Sequence, residues 1–368
     1  MRVCLLSNYP VPYQMEFLDA VRRLPDLELK ALFLSPKDPT RSWPAIQAMD
    51  GLWIVPSVGV PGLPQELRFH PQLVPFLLRE RPDIVVVCGY SHVAFQLAIG
   101  AMRIAGRPFV IWAEAPRLAE GTGLTKAIRQ ALLRPLREAK AVLAVGQHAI
   151  PQWESALPTV PVFNHPYSCD ISRYLRIERS SKRDTFTFLF SGQLIERKGV
   201  DTLLRAFALA AREQTNLRLV LIGEGSRKAQ LAGNVPENIR ARVEFRGFVP
   251  WEQLPAVYAE ADALVVPSRY DGWALVVNEA LAAGLPVIAS RAVGAALEYV
   301  RDGVTGFLVN VDDEVGLSTA LLETVSQAPT MSACARAVGK TLGPDVAAAR
   351  FDRLLRRVSE GVREPWQS

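Results

Sequence analysis

The feature that most constrains this chain is a rhythm. Short apolar runs alternate with longer amphipathic stretches, and the whole alternation occurs twice. In the first half the runs are Val3–Leu6, Glu28–Leu34, Trp53–Val55, Ile84–Val87, Phe109–Trp112, Val142–Val145 and Val162–Phe163. In the second they are Phe186–Phe190, Arg218–Ile222, Val243–Phe245, Ala263–Val266, Pro286–Ala289 and Phe307–Val309. Most are rich in Val, Ile and Leu and bounded by Gly, Pro or Asn, as parallel strands buried on both faces are. The stretches between them read as helices. One has Asp201 at its capping position, with Leu203, Leu204, Phe207, Ala208 and Ala211 repeating on one face. Alternation of this kind predicts an α/β protein with two doubly wound domains. In such sheets ligands bind beyond the carboxyl ends of the strands, so the strand-to-helix turns are where chemistry is sought.

A length of 368 residues accommodates two domains. The expected division is a first domain over 1–167, a charged and glycine-free connection over 168–184, a second domain over 185–343, and a helical tail over 344–368. The tail is a candidate to cross back to the first domain. Hydrophobic residues at 49% and charged residues at 21% match ordinary globular chains and exclude disordered and fibrous classes. A net charge of +5 suits anionic partners such as nucleotides, phosphorylated lipid carriers or a membrane surface. Nucleic acid is not expected, because the basic residues are interleaved with acidic ones and no binding motif is present.

Cys4, Cys88, Cys169 and Cys334 are scattered without metal-ligand spacing, which predicts free, largely buried thiols in a reducing compartment. The opening run before Ser7 and Asn8 is too short for a secretory signal, and no run reaches bilayer length. A cytoplasmic location is therefore expected, with peripheral contact at the inner membrane face as a variant of it. The basic stretch Lys126–Lys140 fits such contact, or a polyprenyl-phosphate acceptor, although a solvated helix face interrupted by Pro135 explains it as well.

Two segments carry chemistry. Val266–Ser290 reads as a strand ending at Pro267, a loop through Asp271 and Gly272, a helix starting near Ala274, and a stop at Gly284-Leu285-Pro286. Free N–H groups at the helix start form an anion site, with Asp271 at the strand end and Glu279 one to two turns into the helix. Alone, the acidic pair is equally an ordinary solvated pair. The second segment, Phe186–Phe207, passes from a strand through Ser191-Gly192 to Arg197 and Lys198 before a helix near Val200. Those cations stand where a leaving diphosphate needs its charge neutralised.

Together these segments resemble the signature of retaining glycosyltransferase family 4, of the GT-B type. Asp271 and Glu279 stand eight positions apart, followed by Ala280, Ala282, Gly284, Pro286, Val287 and Ile288. The resemblance covers roughly residues 186–310. It implies two Rossmann-like domains facing a central cleft and metal-independent transfer, in keeping with the lack of a His/Asp/Glu set at metal-ligand spacing. The nucleotide diphosphate-sugar is then a substrate, and no cofactor is implied. The resemblance further implies that Glu279 binds the ribose, that Asp271 contacts the donor sugar, and that Gly272, Trp273, Ala274, Leu275 and Val276 present backbone amides to sugar and phosphate. Lys198 and Arg197 would stabilise the leaving group, Gly192 and Gly223 would let the ligand approach the backbone, and Phe248 would read the base edge.

The family usually has Glu at the place of Asp271, a basic residue at the place of Gln193, and a His in the stretch Val110–Arg117, where this chain offers Glu114. Glu114 is accordingly expected to support charge on the sugar ring or to bind an acceptor hydroxyl. The Ser7–Gln14 loop, stiffened by two prolines, is a ligand-side loop or a plain turn. His92 is a candidate cleft residue, whereas His70, His148 and His165 read as structural. The expected function is sugar transfer with retention to a saccharide or lipid-linked acceptor, in surface polysaccharide or glycoconjugate synthesis. Rival readings are a non-catalytic sugar-nucleotide-binding protein and a sugar-nucleotide epimerase; a nicotinamide dehydrogenase lacks its glycine fingerprint here.

Overall fold

In β4 (Ile84–Val87) all four side chains are fully buried. A run of β-branched residues covered on both faces is what the centre of a parallel sheet demands. The computed structural model describes residues 1–37, 51–58, 64–116, 123–178 and 184–361. The chain divides into one unit of Met1–Ser168 with Pro344–Ser368, and another of Cys169–Gly343.

Among its described residues the first unit runs β1 (Arg2–Ser7), α1 (Pro12–Arg22), β2 (Glu28–Phe33), β3 (Leu52–Ile54), α2 (Leu73–Glu80), β4, α3 (Val93–Ile104), β5 (Phe109–Ala113), α4 (Leu124–Leu133), β6 (Ala141–Ala144), α5 (Ile150–Ala156) and β7 (Val162–Asn164). All neighbouring strands are parallel, in the order β3-β2-β1-β4-β5-β6-β7. Pro135 ends α4 as its missing N–H requires, and the chain continues as a 3-10 turn over Arg134–Glu138.

The second unit contains α6 (Ser172–Leu175), β8 (Phe186–Ser191), α7 (Val200–Glu213), β9 (Leu217–Ile222), α8 (Lys228–Gly233), β10 (Val243–Gly247), α9 (Leu254–Glu260), β11 (Ala263–Val266), α10 (Val276–Ala282), β12 (Val287–Ser290), α11 (Gly294–Tyr299), β13 (Gly306–Val309) and α12 (Glu314–Gly339). Its sheet, order β10-β9-β8-β11-β12-β13, is also parallel throughout. The order reverses between β8 and β11, which places a ligand crevice at their carboxyl ends. The final helix, α13 (Pro344–Ser359), belongs to the first unit: Phe351 stands edge-on to Phe17 of α1 at 5.3 Å, and Arg23 pairs with Asp345 at 2.7 Å.

Within the expected connection over 168–184, Cys169–Ile177 fold onto the second unit. Arg336 of α12 donates to the carbonyls of Leu175 and Ile177, and Tyr174 is buried. Asp201 does not cap α7. Gly199 holds the cap position, and the Asp201 carboxylate receives both arms of Arg269 at 3.0 and 2.8 Å. All four cysteines are free, but only Cys4 and Cys169 are buried, whereas Cys88 and Cys334 are half-buried.

Candidate functional site

The site on the second unit begins with a glycine. Gly199 adopts φ +65, and a Cβ added there would lie 2.1 Å from the carbonyl oxygen of Pro267. Only glycine permits that approach. It lets the turn after β8 lie directly on the turn after β11, and so brings two sequence-predicted residues together. The Lys198 ammonium donates to Asp271 Oδ2, with both side chains nearly buried. Arg197 donates to the Tyr270 carbonyl at 2.7 Å and its guanidinium lies 4.0 Å from Asp271 Oδ1. Arg269 anchors the arrangement from below, bonding Asp201, Asp312 and the Glu196 carbonyl. This lysine–aspartate pair sits where the strand order reverses.

The loop from Asp271 to Leu275 precedes α10, which starts at Val276 and not at Ala274 as the sequence suggested. Glu279 consequently falls in the first turn of the helix. Ala274 explains the later start: its φ of +73 is left-handed, a conformation helices do not continue. For a residue with a Cβ this conformation stores roughly 1–2 kcal/mol of strain. The loop is held by Asp271 N–H to Ala292 O, Gly294 N–H to Asp271 O and Ala295 N–H to Trp273 O. Trp273 is 3% exposed, edge-on to Tyr299 at 5.7 Å, and its indole N–H has no partner among the described residues.

Glu279 is held by residues that the sequence reading missed. Tyr258 of α9, fully buried, donates its hydroxyl to Glu279 Oε2 at 2.7 Å and is itself hydrogen-bonded to the side chain of Ser191 at the end of β8. Tyr174 of α6 stands edge-on to Tyr258 at 5.0 Å and also hydrogen-bonds Glu279. Burial, reinforced by the Glu279 charge, pushes both phenols well above their ordinary range, so they remain donors. The chain Ser191–Tyr258–Glu279 ties the carboxylate to the same sheet edge as Gly192 and Lys198.

Gly223 packs on this edge as well: with φ +127, a Cβ there would meet the Gly192 carbonyl oxygen at 1.9 Å. Phe248 follows β10 and is 57% exposed. Beyond it Trp251 carries the Arg173 guanidinium 3.9 Å above its ring. The structure thus assembles Gly192, Arg197, Lys198, Gly223, Asp271–Val276 and Glu279 along one edge, with Phe248 at its border. Among the described residues no group of three or more His, Cys, Asp or Glu is arranged to hold a metal.

Glu114 belongs to the first unit. It follows β5 and lines a cavity of about 290 Å³ with Ser91, Trp112, Arg129 and Tyr167. That volume is at the small end of the range for ligand clefts, ~300 Å³. Trp112 stands edge-on to Tyr167 at 5.4 Å, and Tyr13 lies tilted against Tyr167 at the same distance. A carboxylate and a guanidinium set among aromatic walls can hold a polar ring by its hydroxyls and its apolar face together. The Ser7–Gln14 segment is largely structural: α1 begins at Pro12, and Ser7 donates to Gln14 Oε1 at 3.1 Å. His92 is buried against Phe95 instead of facing a ligand, and burial lowers its pKa. His70 bonds the Val55 carbonyl, and His165 lies fully buried among Phe17, Trp112 and Phe351.

Residues 174–340 match the family model described as "Glycosyl transferases group 1". An uncharacterized glycosyltransferase of Methanocaldococcus jannaschii is 36% identical over 127 residues, 34% of this chain and 32% of that one. A GDP-mannose-dependent monoacylated alpha-(1-6)-phosphatidylinositol monomannoside mannosyltransferase of Corynebacterium glutamicum is 27% identical over 285 residues, 72% of each chain. The matched stretch covers about a third of the length of the first of these relatives. HepE of Anabaena, solved in complex with UDP, superposes with a TM-score of 0.71 at 18% identity, covering 97% of this chain and 100% of that one. That likeness establishes the fold: two Rossmann-like, parallel-sheet α/β domains of the GT-B class.

Proposed function

Because residues 174–340 belong to the glycosyl transferases group 1 family, we propose that this chain moves a sugar from a nucleoside diphosphate-sugar onto a saccharide or lipid-linked acceptor, with retention of configuration. The observation that carries the reading is the Lys198–Asp271 pair at the reversal point of the second sheet, beside a carboxylate held by two phenols. In this reading Glu279 accepts the ribose hydroxyls. The amides of the Asp271–Val276 loop and the ammonium of Lys198 surround the diphosphate, and Asp271 takes a sugar hydroxyl. Phe248 borders the base.

The bond between the anomeric carbon and the diphosphate oxygen breaks, and its electron pair leaves with the phosphate. Lys198 and Arg197 neutralise that growing charge, a preorganised electrostatic role that a metal ion would otherwise fill. The acceptor oxygen forms the new bond on the face the phosphate leaves, and its proton passes to the departing phosphate oxygen. The aromatic cavity around Glu114 supplies the acceptor site. Assembly of surface polysaccharide or glycoconjugate is the setting that suits such an activity, in the cytoplasm or at the inner face of the membrane.

The test is release of nucleoside diphosphate from a panel of UDP-, GDP- and ADP-sugars, with and without saccharide acceptors, by wild type and by Lys198→Ala. Acceptor-dependent release from one donor class, lowered ~10²–10³-fold by Lys198→Ala, supports the reading. Binding of a donor with no turnover on any acceptor points to a non-catalytic sugar-nucleotide-binding protein.

A further inference from the structure

The turn after β9 carries a carboxylate, Glu224, to which the donor site has given no part. Its backbone is fastened on both sides. Gly223 N–H donates to the Gly247 carbonyl at 2.7 Å, and Leu194 N–H, from the turn after β8, donates to the Glu224 carbonyl at 2.9 Å. Glu224 is thereby fixed between the edge that bears Gly192 and Lys198 and the end of β10, where Phe248 follows. Gly247 makes room for the side chain: with φ +75, a Cβ there would lie 2.8 Å from Glu224 Oε1. Lys228 donates to that same oxygen at 2.8 Å, and the Phe248 backbone N–H is hydrogen-bonded to the carboxylate as well. The Lys228 ammonium, helped by the Phe248 N–H, holds this carboxyl below its ordinary range, so it is ionised at neutral pH.

Two consequences follow for a base that borders Phe248. The Phe248 N–H is already engaged and does not serve a carbonyl of the base. The carboxylate, by contrast, has capacity left. It accepts about four hydrogen bonds, of which Lys228 and Phe248 take two. The Glu224 side chain is 53% exposed, so a ligand can reach the rest. The bases differ in what they offer such a group. Guanine presents adjacent N1–H and 2-amino donors, a match for the two oxygens of a carboxylate, and the Lys228 ammonium is a donor for its O6. Uracil presents one N–H between two carbonyl oxygens, and adenine an amino group beside a ring acceptor. Each of these turns a lone pair towards the negative charge, and such repulsion discriminates as much as attraction does. Stacking on the exposed Phe248 ring is open to every base and discriminates little.

We propose that Glu224 selects guanine by accepting N1–H and the 2-amino group of the base, so that the donor is a guanosine diphosphate-sugar. The inference rests on the donor-site reading of this same edge and adds the base to it.

The experiment is calorimetric titration of the full chain with GDP, UDP and ADP, and with the diphosphates of inosine and xanthosine. Wild type should bind GDP most tightly. Inosine diphosphate, which lacks the 2-amino group, should bind more weakly. Glu224→Gln should lower GDP affinity roughly tenfold, towards the lower end of what one bidentate contact to a base supplies because the side chain is exposed. The glutamine offers one acceptor and one donor, which match the N1–H and C2 carbonyl of xanthine. The variant should therefore prefer xanthosine diphosphate to GDP, a switch that a purely structural role for Glu224 would not produce. GDP binding that is unchanged in Glu224→Gln, or inosine diphosphate binding as tightly as GDP, overturns the proposal. So does a loss in the variant shared equally by GDP and UDP. UDP or ADP binding more tightly than GDP, and weakened by Lys198→Ala, overturns the choice of guanine and leaves the donor site standing. Binding of no nucleotide removes the donor site and this proposal with it.

Discussion

Removing one hydroxyl from Tyr258 separates a donor site that is held ready from one that is merely present. Tyr258→Phe keeps the ring, its edge-on contact with Tyr174 and its place in the core. It deletes the 2.7 Å hydrogen bond to Glu279 and the link to Ser191. A hydrogen bond to a charged group contributes about 1.5–3 kcal/mol, and this one is part-buried, so solvent screening places it toward the lower end of that range. Part of that loss appears as stability. The rest appears in binding, because the released Glu279 must be ordered again by the ligand, at about 0.5–1.5 kcal/mol. Calorimetric titration should therefore show nucleoside diphosphate binding roughly two- to tenfold weaker. The loss should shrink with the 2′,3′-dideoxy nucleotide, which offers Glu279 nothing to accept. A lowered unfolding temperature with unchanged affinity for both nucleotides would refute the argument and make Tyr258 a packing residue only.

Other substitutions probe different parts of the account. Ala274→Gly releases left-handed strain at φ +73 but loosens the unfolded chain; the net should be stabilising by about 0.5–1 kcal/mol. Thermal melting of the second unit should then shift upward by about 1–4 °C, and a downward shift contradicts the strain assignment. Gly199→Ala forces a Cβ into the Pro267 carbonyl and separates Lys198 from Asp271. Nucleotide affinity and turnover should fall together, whereas near-wild-type kinetics would show that the contact is dispensable. His165, with neither ring nitrogen hydrogen-bonded among the described residues, has its pKa lowered from 6.5 to about 3 by burial. Its folded pKa lies below its unfolded one, so the neutral form contributes stability above 6.5 that is lost as pH falls towards 3. The slope is at most about 1.4 kcal/mol per pH unit. His165→Leu should flatten acid unfolding between those limits, and an unchanged acid profile assigns the proton uptake elsewhere.

The strand–helix alternation was legible because burial on both faces of a parallel sheet leaves no room for polar residues, as Ile84–Val87 shows. The glycines and charged pairs of the turns were legible for the same reason that they matter: each stands at a fixed offset from a strand end. What escaped is tertiary. Nothing in the amphipathic stretch Leu254–Glu260 distinguishes Tyr258 from a core residue, because its hydroxyl finds Glu279 only across the fold. The charged stretch after Ser168 looks like a connection by composition, yet α12 reaches it through Arg336 from far along the chain. Asp201 has the residue type and position of a cap, but Arg269 offers a charge-assisted bidentate pair that outweighs one backbone N–H. Ala274 reads as a helix former, whereas the loop bonds at Asp271, Trp273 and Gly294 hold the turn in which it is left-handed.

The central claim is that the edge holding Lys198, Asp271 and Glu279 binds a nucleoside diphosphate. It is met most directly by calorimetric titration of the purified protein with UDP, GDP and ADP, repeated on Lys198→Ala and Glu279→Ala. The account predicts that one nucleotide binds and that both substitutions weaken it. Binding of none of the three, or binding indifferent to both substitutions, would contradict it.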